Sequence, residues 1–348
     1  MNIVYVAMNN RFFNWPHIIS CVLVASTMVL LCFGALVTTY EAAMAVPDWP
    51  ATYGHNMFLF PWSEWVGGPW DLFLEHGHRL LGAVVGFLSL VMVFSVWKSK
   101  ASPVVKALAF SAVLLVVVQG MLGGARVLLD DKTIAKVHAC TGPLFFSVAT
   151  AIAVLTRRNA SFLQGGSPSS SSQRMSVVHN RRTGLAAAGL VVAAYVQLVA
   201  GAQLRHIESA SIGPRAFQWM VGFHVVGAFV VMGLVLTLAI LHGRIPSVAR
   251  RWSWLLACLV VGQIVLGVAS WIVSWGVPSG LLPFSFQFSE PFQARSTIGA
   301  LIVTGHVLLG MLILGASVIL WIVGGGLRIP DLSVEAHQTR QSSEEVFV

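Results

Sequence analysis

The chain has 348 residues, of which 56% are hydrophobic and only 10% are charged, and its formal net charge is +8. Soluble domains carry about 25% charged residues, so this composition excludes an ordinary water-soluble fold. Apolar runs of about 20 residues, each long enough for one helix across a bilayer, recur along the chain, whereas a membrane β-barrel shows shorter alternating segments.

Eight such runs predict eight transmembrane helices, so the expected fold class is an all-α, polytopic membrane protein. The predicted runs cover residues 17–40, 77–97, 104–129, 134–156, 183–204, 217–241, 252–276 and 295–323. The four cysteines lie within these runs, which predicts small buried side chains and no disulfide framework in the outer loops. They are Cys21, Cys32, Cys140 and Cys258.

Basic residues follow every even-numbered run. They are Lys98, Lys100 and Lys106 after the second run, Arg157, Arg158, Arg174, Arg181 and Arg182 after the fourth, Arg244, Arg250 and Arg251 after the sixth, and Arg328 after the eighth. Because cytoplasmic loops carry an excess of Lys and Arg, both termini are predicted to be cytoplasmic. The positive charge therefore indicates topology rather than a nucleic-acid partner.

Two sequence patterns occur once in each half of the chain. QGMLGGA at 119–125 and QIVLGVA at 263–269 both fit Q-x-x-L-G-x-A. HACTG at 138–142 and HVLLG at 306–310 both fit H-x-x-x-G. Chance agreement among glycine-rich helices is the alternative, but the recurrence in the same order favours a duplication, with both halves facing the same way.

The duplication predicts two pseudo-symmetric four-helix bundles. Residues 1–158 would form the N-terminal half and residues 183–328 the C-terminal half. The segment 159–182 is rich in Gly, Ser and Pro and predicts a flexible cytoplasmic linker, and residues 329–348 would form a cytoplasmic tail. The aromatic-rich first outer loop, residues 41–74, and its counterpart at 277–293 suit caps over a site that opens outward.

Four of the eleven histidines lie on the even-numbered runs, one on each, in the predicted outer half of the bilayer. They are His78, His138, His224 and His306. Ionisable groups at that depth are costly and usually functional, although a lone histidine can simply hydrogen-bond a neighbouring helix. Each half would present two imidazoles at similar depth.

Two imidazoles in an apolar bundle suit haem iron, which takes two axial ligands, better than zinc, which usually takes four ligands. One haem pocket in each half is therefore the favoured interpretation, and a proton relay through the same histidines is the alternative. Nearby glycines are expected to let a flat macrocycle approach the backbone. These are Gly82, Gly86, Gly142, Gly227 and Gly310.

Glu75 precedes His78 by three residues, so both would share one helix face, whereas the matching position before His224 is Val221. This asymmetry indicates that one pocket carries out a reaction and the other transfers electrons. The alternative is an ordinary ion pair between Glu75 and Arg79, worth a few tenths of a kcal/mol on a helix surface. His76 points off the shared face and is expected to be structural.

The segments GALVTTYEAAMAVPDWPATYGHNMFLFPW (34–62) and EHGHRLLGAVVG (75–86), with the four spaced histidines, resemble the haem A synthase family of membrane enzymes. The resemblance covers nearly the whole chain. It implies eight helices in two similar halves. It also implies oxidation of the C8 methyl group of haem O to a formyl group, which yields haem A for cytochrome oxidase.

The resemblance also implies roles for individual residues. His224 and His306 would be the axial ligands of a resident haem b in the C-terminal half. His78 and His138 would line or ligate the substrate haem site in the N-terminal half, and Glu75 would act in the chemistry.

The implied setting is a bacterial inner membrane, with haem O as substrate and with haem O synthase and cytochrome oxidase assembly factors as partners. Some family members have a cysteine pair in the first outer loop, but this loop has none, so an electron route through such a pair is excluded and the electron acceptor is not identified. Two other functions stay open: a di-haem b-type electron-transfer protein without chemistry of its own, and a transporter with histidine proton relays, which should show helices broken at mid-membrane.

Overall fold

The computed structural model describes residues 14–157, 181–206, 213–243, 248–276 and 296–324. Its helices are α1 (Trp15–Thr39), α2 (Trp62–Val66), α3 (Trp70–Lys98), α4 (Pro103–Leu129), α5 (Lys132–Leu155), α6 (Arg181–Arg205), α7 (Pro214–Gly243), α8 (Val248–Trp275) and α9 (Thr297–Val323). All except α2 are long and apolar enough to cross a membrane. The prediction of an all-α protein with eight membrane-spanning helices is therefore confirmed.

The helix ends agree with the predicted runs to within a few residues except at α3. This helix begins at Trp70, seven residues before the predicted start at 77. Its first turns contain polar residues that lower the local hydropathy, and the segment before it buries them: Glu75 and His76 are 3% and 1% exposed. We use "loop one" for this segment, residues 40–69, which contains α2. Tertiary contacts, rather than hydropathy, therefore set where α3 begins.

Side-chain caps explain where several helices start. Ser102 accepts a hydrogen bond from the N–H of Val105 at the start of α4, and Pro103 occupies the first turn, where no backbone N–H is needed. Asp131 caps α5 by accepting from the N–H groups of Thr133 and Ile134. These bonds to the charged form hold the pKa of the exposed Asp131 carboxyl below its usual value.

The long helices form two groups of four. In the first group, α1 packs against α3, α3 against α4, α4 against α5, and α5 against α1; in the second, α6, α7, α8 and α9 close a ring in the same way. The groups meet through their first and fourth helices, because α1 and α5 contact α9 and α5 also contacts α6. These contacts are consistent with two similar four-helix bundles.

The outward surface of the bundles is apolar. Phe87, Phe94 and Phe229 are each about two-thirds exposed, which suits contact with lipid rather than water. All four cysteines are free; Cys21 and Cys258 lie on exposed positions, so the expectation of buried side chains is wrong for these two, and Cys32 and Cys140 are only half-buried. Residues 159–180 of the predicted linker 159–182, the loop at 277–293 and the tail at 329–348 lie outside the described residues, and the last two residues of the predicted linker begin α6.

Candidate functional site: two histidine pairs and a buried ion pair

The structure brings the four candidate histidines together in two pairs. In the N-terminal bundle the ring centroids of His78 on α3 and His138 on α5 are 6.3 Å apart, with the ring planes at 82°. In the C-terminal bundle the centroids of His224 on α7 and His306 on α9 are also 6.3 Å apart, with the planes at 71°. Both pairs therefore have the same separation, as expected for related halves.

This separation fits a metal held between two imidazoles. Two metal–nitrogen bonds of about 2 Å, plus about 1 Å from each nitrogen to its ring centroid, require about 6 Å between centroids. Within the described part of the chain, no group of three or more His, Cys, Asp or Glu side chains is placed to hold a metal ion. A pair of imidazoles is the number of protein ligands that a haem iron takes, whereas zinc usually takes four.

The ring nitrogens also support a metal held between the two imidazoles of a pair. Nδ1 of His78, His138 and His306 is buried and makes no hydrogen bond of normal geometry with the described residues. A backbone carbonyl of the preceding long helix lies near each of these rings. It is that of Leu30 for His78, Gln119 for His138 and Gln263 for His306. Buried polar atoms without a partner need an explanation, and a bound ligand is one that fits an imidazole pair.

Each of the four rings packs on a glycine of the preceding long helix, a feature that the sequence interpretation missed. A Cβ atom added at Gly34, for example, would lie 3.0 Å from Cε1 of His78, so any larger residue would push the ring away. The other distances from an added Cβ to Cε1 are 3.4 Å for Gly123 and His138, 3.2 Å for Gly201 and His224, and 3.1 Å for Gly267 and His306.

The glycines that were expected to admit a macrocycle mostly have a different neighbour. A Cβ at Gly142 would lie 3.1 Å from Nε2 of Gln119, and a Cβ at Gly310 would lie 3.2 Å from Nε2 of Gln263. A Cβ at Gly227 would overlap Oε1 of Gln197. The macrocycle interpretation is therefore wrong for these three positions, which instead make room for glutamine side chains.

The glutamine amides contact three of the four histidines. Nε2 of Gln119 donates to the backbone carbonyl of His138 at 3.2 Å. Nε2 of Gln197 donates to the backbone carbonyl of His224 at 2.6 Å and lies 3.1 Å from its Nδ1. Nε2 of Gln263 lies 3.5 Å from Nε2 of His306. Gln119 and Gln263 belong to the repeated Q-x-x-L-G-x-A pattern, which predicted the duplication but not this contact.

Glu75 and Arg79 form a buried ion pair that attaches loop one to α3. Oε1 of Glu75 accepts from Arg79 at 2.8 Å, and Oε2 accepts from the N–H of Val46 at 2.9 Å. Arg79 also donates to the backbone carbonyls of Val46, Asp48 and Ala51. The i,i+4 pair considered from the sequence is thus present. Because it is buried, however, loss of one partner costs far more than in a surface pair.

A second arginine supports the same loop. Arg126 on α4 donates to the backbone carbonyl of Ala43 at 3.1 Å. The corresponding residue of α8, seven positions after its glutamine, is Ser270. The sequence interpretation did not single out Arg126, because a basic residue near a helix end is common in membrane proteins. Glu75, Arg79 and Arg126 thus all lie on helices of the N-terminal bundle.

Comparisons with known proteins identify the family of this chain. A family described as "Cytochrome oxidase assembly protein", COX15-CtaA, matches residues 70–282, which is more than half of the chain. The chain belongs to the COX15-CtaA family. The matched segment runs from α3 to α8 and includes Glu75, His78, His138 and His224, whereas α1 and α9, with His306, lie outside it.

Curated relatives carry the name "Heme A synthase". The chain is 26% identical to that protein of Alkalihalophilus pseudofirmus over 262 residues, which cover 70% of this chain and 82% of the relative. It is 27% identical to that of Shouchella clausii over 263 residues, with the same coverage of 70% and 82%. It is 30% identical to that of Symbiobacterium thermophilum over 196 residues, 53% of this chain and 58% of the relative.

In this member of the COX15-CtaA family, loop one is fastened to α3 by further polar and aromatic contacts. Nδ1 of His76 lies 3.0 Å from the hydroxyl of Thr52, and its ring packs against Phe60 and Trp65 with centroids 5.1 and 5.3 Å away. This contact agrees with a structural role for His76. Loop one thereby covers the end of α3 that carries Glu75.

Asp48 organises the tip of loop one. Its carboxylate accepts from the N–H groups of Tyr53 at 2.9 Å and Gly54 at 2.8 Å. Partial burial opposes ionisation, but these hydrogen bonds outweigh it and lower the pKa of Asp48 below its ordinary value. A lowered pKa means that the stabilisation is fully present above the ordinary carboxyl pKa of about 3.9 and is lost as the pH falls through the folded-state value.

We expect Asp48→Ala to loosen the tip of loop one without unfolding the bundles. Two hydrogen bonds to a charged but half-exposed acceptor contribute about 1–2 kcal/mol in local stability. Hydrogen exchange at the amides of Tyr53 and Gly54, followed by mass spectrometry at neutral pH, should become about 10-fold faster. Asp71→Ala is the control, since the hydrogen bond that the Asp71 carboxylate accepts within the described part of the chain comes from its neighbour Leu72. Equal exchange rates in both variants would contradict this role of Asp48.

Proposed function

We propose that this protein is a haem A synthase, which oxidises the C8 methyl group of haem O to a formyl group. The family membership and the names of the curated relatives support this reaction. The observation that carries the proposal is the inequality of two otherwise similar bundles. Both hold an imidazole pair at 6.3 Å, but only the N-terminal bundle adds a buried carboxylate one turn before a histidine of the pair.

In this proposal the two histidine pairs have different occupants. His224 and His306 hold a resident haem b, which supplies reversible one-electron transfer when bound. His78 and His138 hold the substrate haem O by its iron, so the reacting methyl group lies in the bundle that contains Glu75. The structural support is the spacing of the rings, since the macrocycle of each occupant must fit between two imidazoles from different helices.

Conversion of a methyl group to a formyl group with water as the oxygen source releases four electrons and four protons. The electrons need an acceptor outside this chain, whose identity stays open. The protons need a base near the methyl group, and a carboxylate is effective if it lies within hydrogen-bond reach. Each oxygen of Glu75 accepts one hydrogen bond from the protein, which leaves a lone pair on each for water or a proton. Arg79 and the N–H of Val46 keep that carboxylate in one orientation.

Loop one contributes by excluding bulk water. Leu74 and Val46 are fully buried beside Glu75, and Leu72 is 6% exposed. A closed, apolar surrounding strengthens the electrostatic effect of fixed polar groups and protects a reactive substrate from side reactions. We propose that loop one closes the substrate site of the N-terminal bundle.

We further propose that the protein lies in a bacterial inner membrane with both termini in the cytoplasm. Lys98, Lys100, Lys106 and Arg157 all lie at the end of the N-terminal bundle opposite loop one, as the positive-inside rule requires of a cytoplasmic face. Haem O synthase and cytochrome oxidase assembly factors are the proposed partners, because the substrate comes from the first and the product serves the second.

Production of haem A in cells tests the proposed function. The protein is expressed in a host that makes haem O but no haem A, and the haems are extracted and separated by chromatography. We expect haem A with the unaltered protein. His78→Ala should abolish haem A, because the substrate loses a ligand, while the absorbance of the resident haem b persists.

The di-haem electron-transfer alternative gives a different result. Haem O would then stay unchanged while the purified protein binds haem in both bundles, and His78→Ala would remove half of the bound haem without changing the extracted haem types. Persistent absence of haem A from cells that contain the folded, haem-loaded protein would therefore refute the synthase.

A further inference from the structure

We propose that Gln119, Gln197 and Gln263 are positioning residues for three of the four imidazoles, and that His78, which lacks such a partner, is the exchangeable ligand. On this view the substrate haem is admitted and the product released on the His78 side of the N-terminal pair. The inference rests on the proposed function for the identity of the occupants, but its test measures haem retention and requires no haem A formation.

The contacts common to all four histidines define the basic arrangement. In every case, a glycine of the preceding long helix lies against Cε1 of the ring. A backbone carbonyl one turn before that glycine faces the same ring. These two contacts restrict the plane of the imidazole in both bundles equally, so they do not distinguish a permanent ligand from an exchangeable one.

The glutamine amide is the contact that varies. Gln119, Gln197 and Gln263 each stand four residues before the glycine that supports the ring. For His138 and His224 the amide donates to the backbone carbonyl of the histidine itself, at 3.2 and 2.6 Å. A helical carbonyl has two lone pairs, so it can accept this bond in addition to its helix bond. The turn that carries the histidine is thereby fastened to the neighbouring helix.

Glycines on the histidine helices make this contact possible. Gly142 and Gly310 stand one turn after His138 and His306, and a Cβ at either position would crowd the glutamine amide at 3.1 or 3.2 Å. Gly227 plays the same part for Gln197. The repeated H-x-x-x-G pattern therefore pairs with the repeated Q-x-x-x-G pattern on the preceding helix, because each amide needs a neighbouring backbone without a side chain.

The His78 position departs from this arrangement. The residue four positions before Gly34 is Leu30, which has no side-chain donor. The glycine one turn after His78 is Gly82, and a Cβ there would meet no atom within 4 Å. His78 thus keeps the glycine and the carbonyl but lacks the amide.

The distribution of amides matches the different demands on the two sites. The C-terminal pair, proposed to hold a resident haem, has two amide-supported imidazoles. The N-terminal pair, proposed to bind substrate and release product, has one supported imidazole, His138, and one unsupported imidazole, His78. A ligand that must leave the iron in every catalytic cycle is better served by a side chain with fewer restraints, because its rotation costs less free energy.

The test measures how fast haem leaves the protein. Purified protein loaded with haem b is mixed with an excess of apomyoglobin, and haem transfer is followed by absorbance. Gln197→Met keeps the side-chain length but removes the donor, and we expect about 5- to 10-fold faster loss of the C-terminal haem, since one hydrogen bond is worth about 1 kcal/mol. The low-spin electron paramagnetic resonance signal of that haem should also broaden or shift.

Leu30→Gln is the reciprocal variant. It supplies the missing amide beside His78, and we expect slower haem release from the N-terminal pair by a similar factor. If Leu30→Gln does not accumulate in the membrane, Gln119→Met replaces it and should instead speed release from the same pair. Gln203→Met is the control, because Gln203 lies on the same helix as Gln197 but contacts Cys140 rather than a histidine.

The results separate this inference from the proposed function. If Gln197→Met retains haem and its resonance signal like the unaltered protein, the positioning role is refuted, whatever the haem A assay shows. If the retention pattern holds but no haem A forms in cells, the synthase is refuted while the positioning role stands. Equal effects of Gln197→Met and Gln203→Met would also refute the inference, because they would show a general loss of stability.

Discussion

Replacement of either His224 or His306 by alanine should remove the low-spin b-type haem spectrum from the purified protein. The two rings face each other at 6.3 Å from different helices, and a low-spin haem iron needs both axial ligands. Loss of one imidazole would leave the haem with a single protein ligand in an apolar bundle. We expect haem content at this site to fall at least 10-fold, measured by the reduced-minus-oxidised absorbance per mole of protein.

His242→Ala is the matched control for this experiment. His242 lies on α7, the same helix as His224, but near its other end, where Nδ1 is 3.0 Å from the hydroxyl of Ser253. Ser253 also donates to the carbonyl of Ala249, so it keeps a partner in the variant. The control should therefore keep the full spectrum. If His224→Ala and His306→Ala keep it too, the cofactor lies elsewhere and the assignment of the C-terminal pair fails.

Glu75→Gln should abolish haem A formation while leaving the protein folded and its resident haem spectrum intact. Glutamine retains an acceptor for the N–H of Val46 and a similar shape, but it cannot take up a proton as a carboxylate does. General base catalysis contributes about 10²–10⁴-fold to a rate, so we expect at least a 100-fold loss of haem A in extracted haems. The C-terminal pair is unchanged by the substitution, which is why its spectrum should persist.

Glu75→Ala separates the structural part of this residue from its chemistry. Removal of the carboxylate leaves the guanidinium of Arg79 buried without its charged partner, which costs about 3–5 kcal/mol. We therefore expect Glu75→Ala to lower the midpoint of thermal unfolding and to expose loop one to proteases, whereas Glu75→Gln does so much less. Glu64→Gln, at an exposed position on α2, should change neither stability nor activity. Normal haem A production by Glu75→Gln would show that Glu75 only fastens loop one.

The two hydrogen bonds of the Glu75 carboxylate explain how one residue would both fasten loop one and act in the proposed chemistry. Its ion pair with Arg79 and its bond to Val46 fasten loop one, and the same contacts hold the carboxylate in one place. Fixed orientation is what a catalytic carboxylate requires. The arginine that looked, from the sequence, like a rival explanation for Glu75 is therefore compatible with the proposed chemistry.

The sequence predicted the features of this protein that depend on local composition and on spacing along one helix. Eight apolar runs became eight long helices, because the length of a membrane-spanning helix follows from bilayer thickness and hydropathy alone. The four histidines were singled out because they recur at matching positions on even-numbered runs. Their arrangement in two pairs followed from the expectation of two four-helix bundles, and the coordinates place the rings in those pairs.

The same reasoning failed where the neighbour of a side chain decides its role. Gly142, Gly227 and Gly310 looked like room for a macrocycle, but glutamines from adjacent helices occupy that space. Gln197 was missed because α6 carries its Q-x-x-x-G pattern without the leucine of the other repeats. Arg126 was missed because nothing near it in the sequence indicates that it reaches the carbonyl of Ala43 in loop one.

By itself, then, the sequence determined the number of membrane-spanning helices and their approximate ends, and it singled out the candidate ligands and predicted a duplication. Only the tertiary structure decided which glycine supports which ring, which amides contact the histidines, and how loop one buries Glu75. The physical reason is that hydropathy and spacing constrain each helix separately. The rotation of each helix about its axis, and therefore which side chains meet, is set by packing between helices that are distant in the chain.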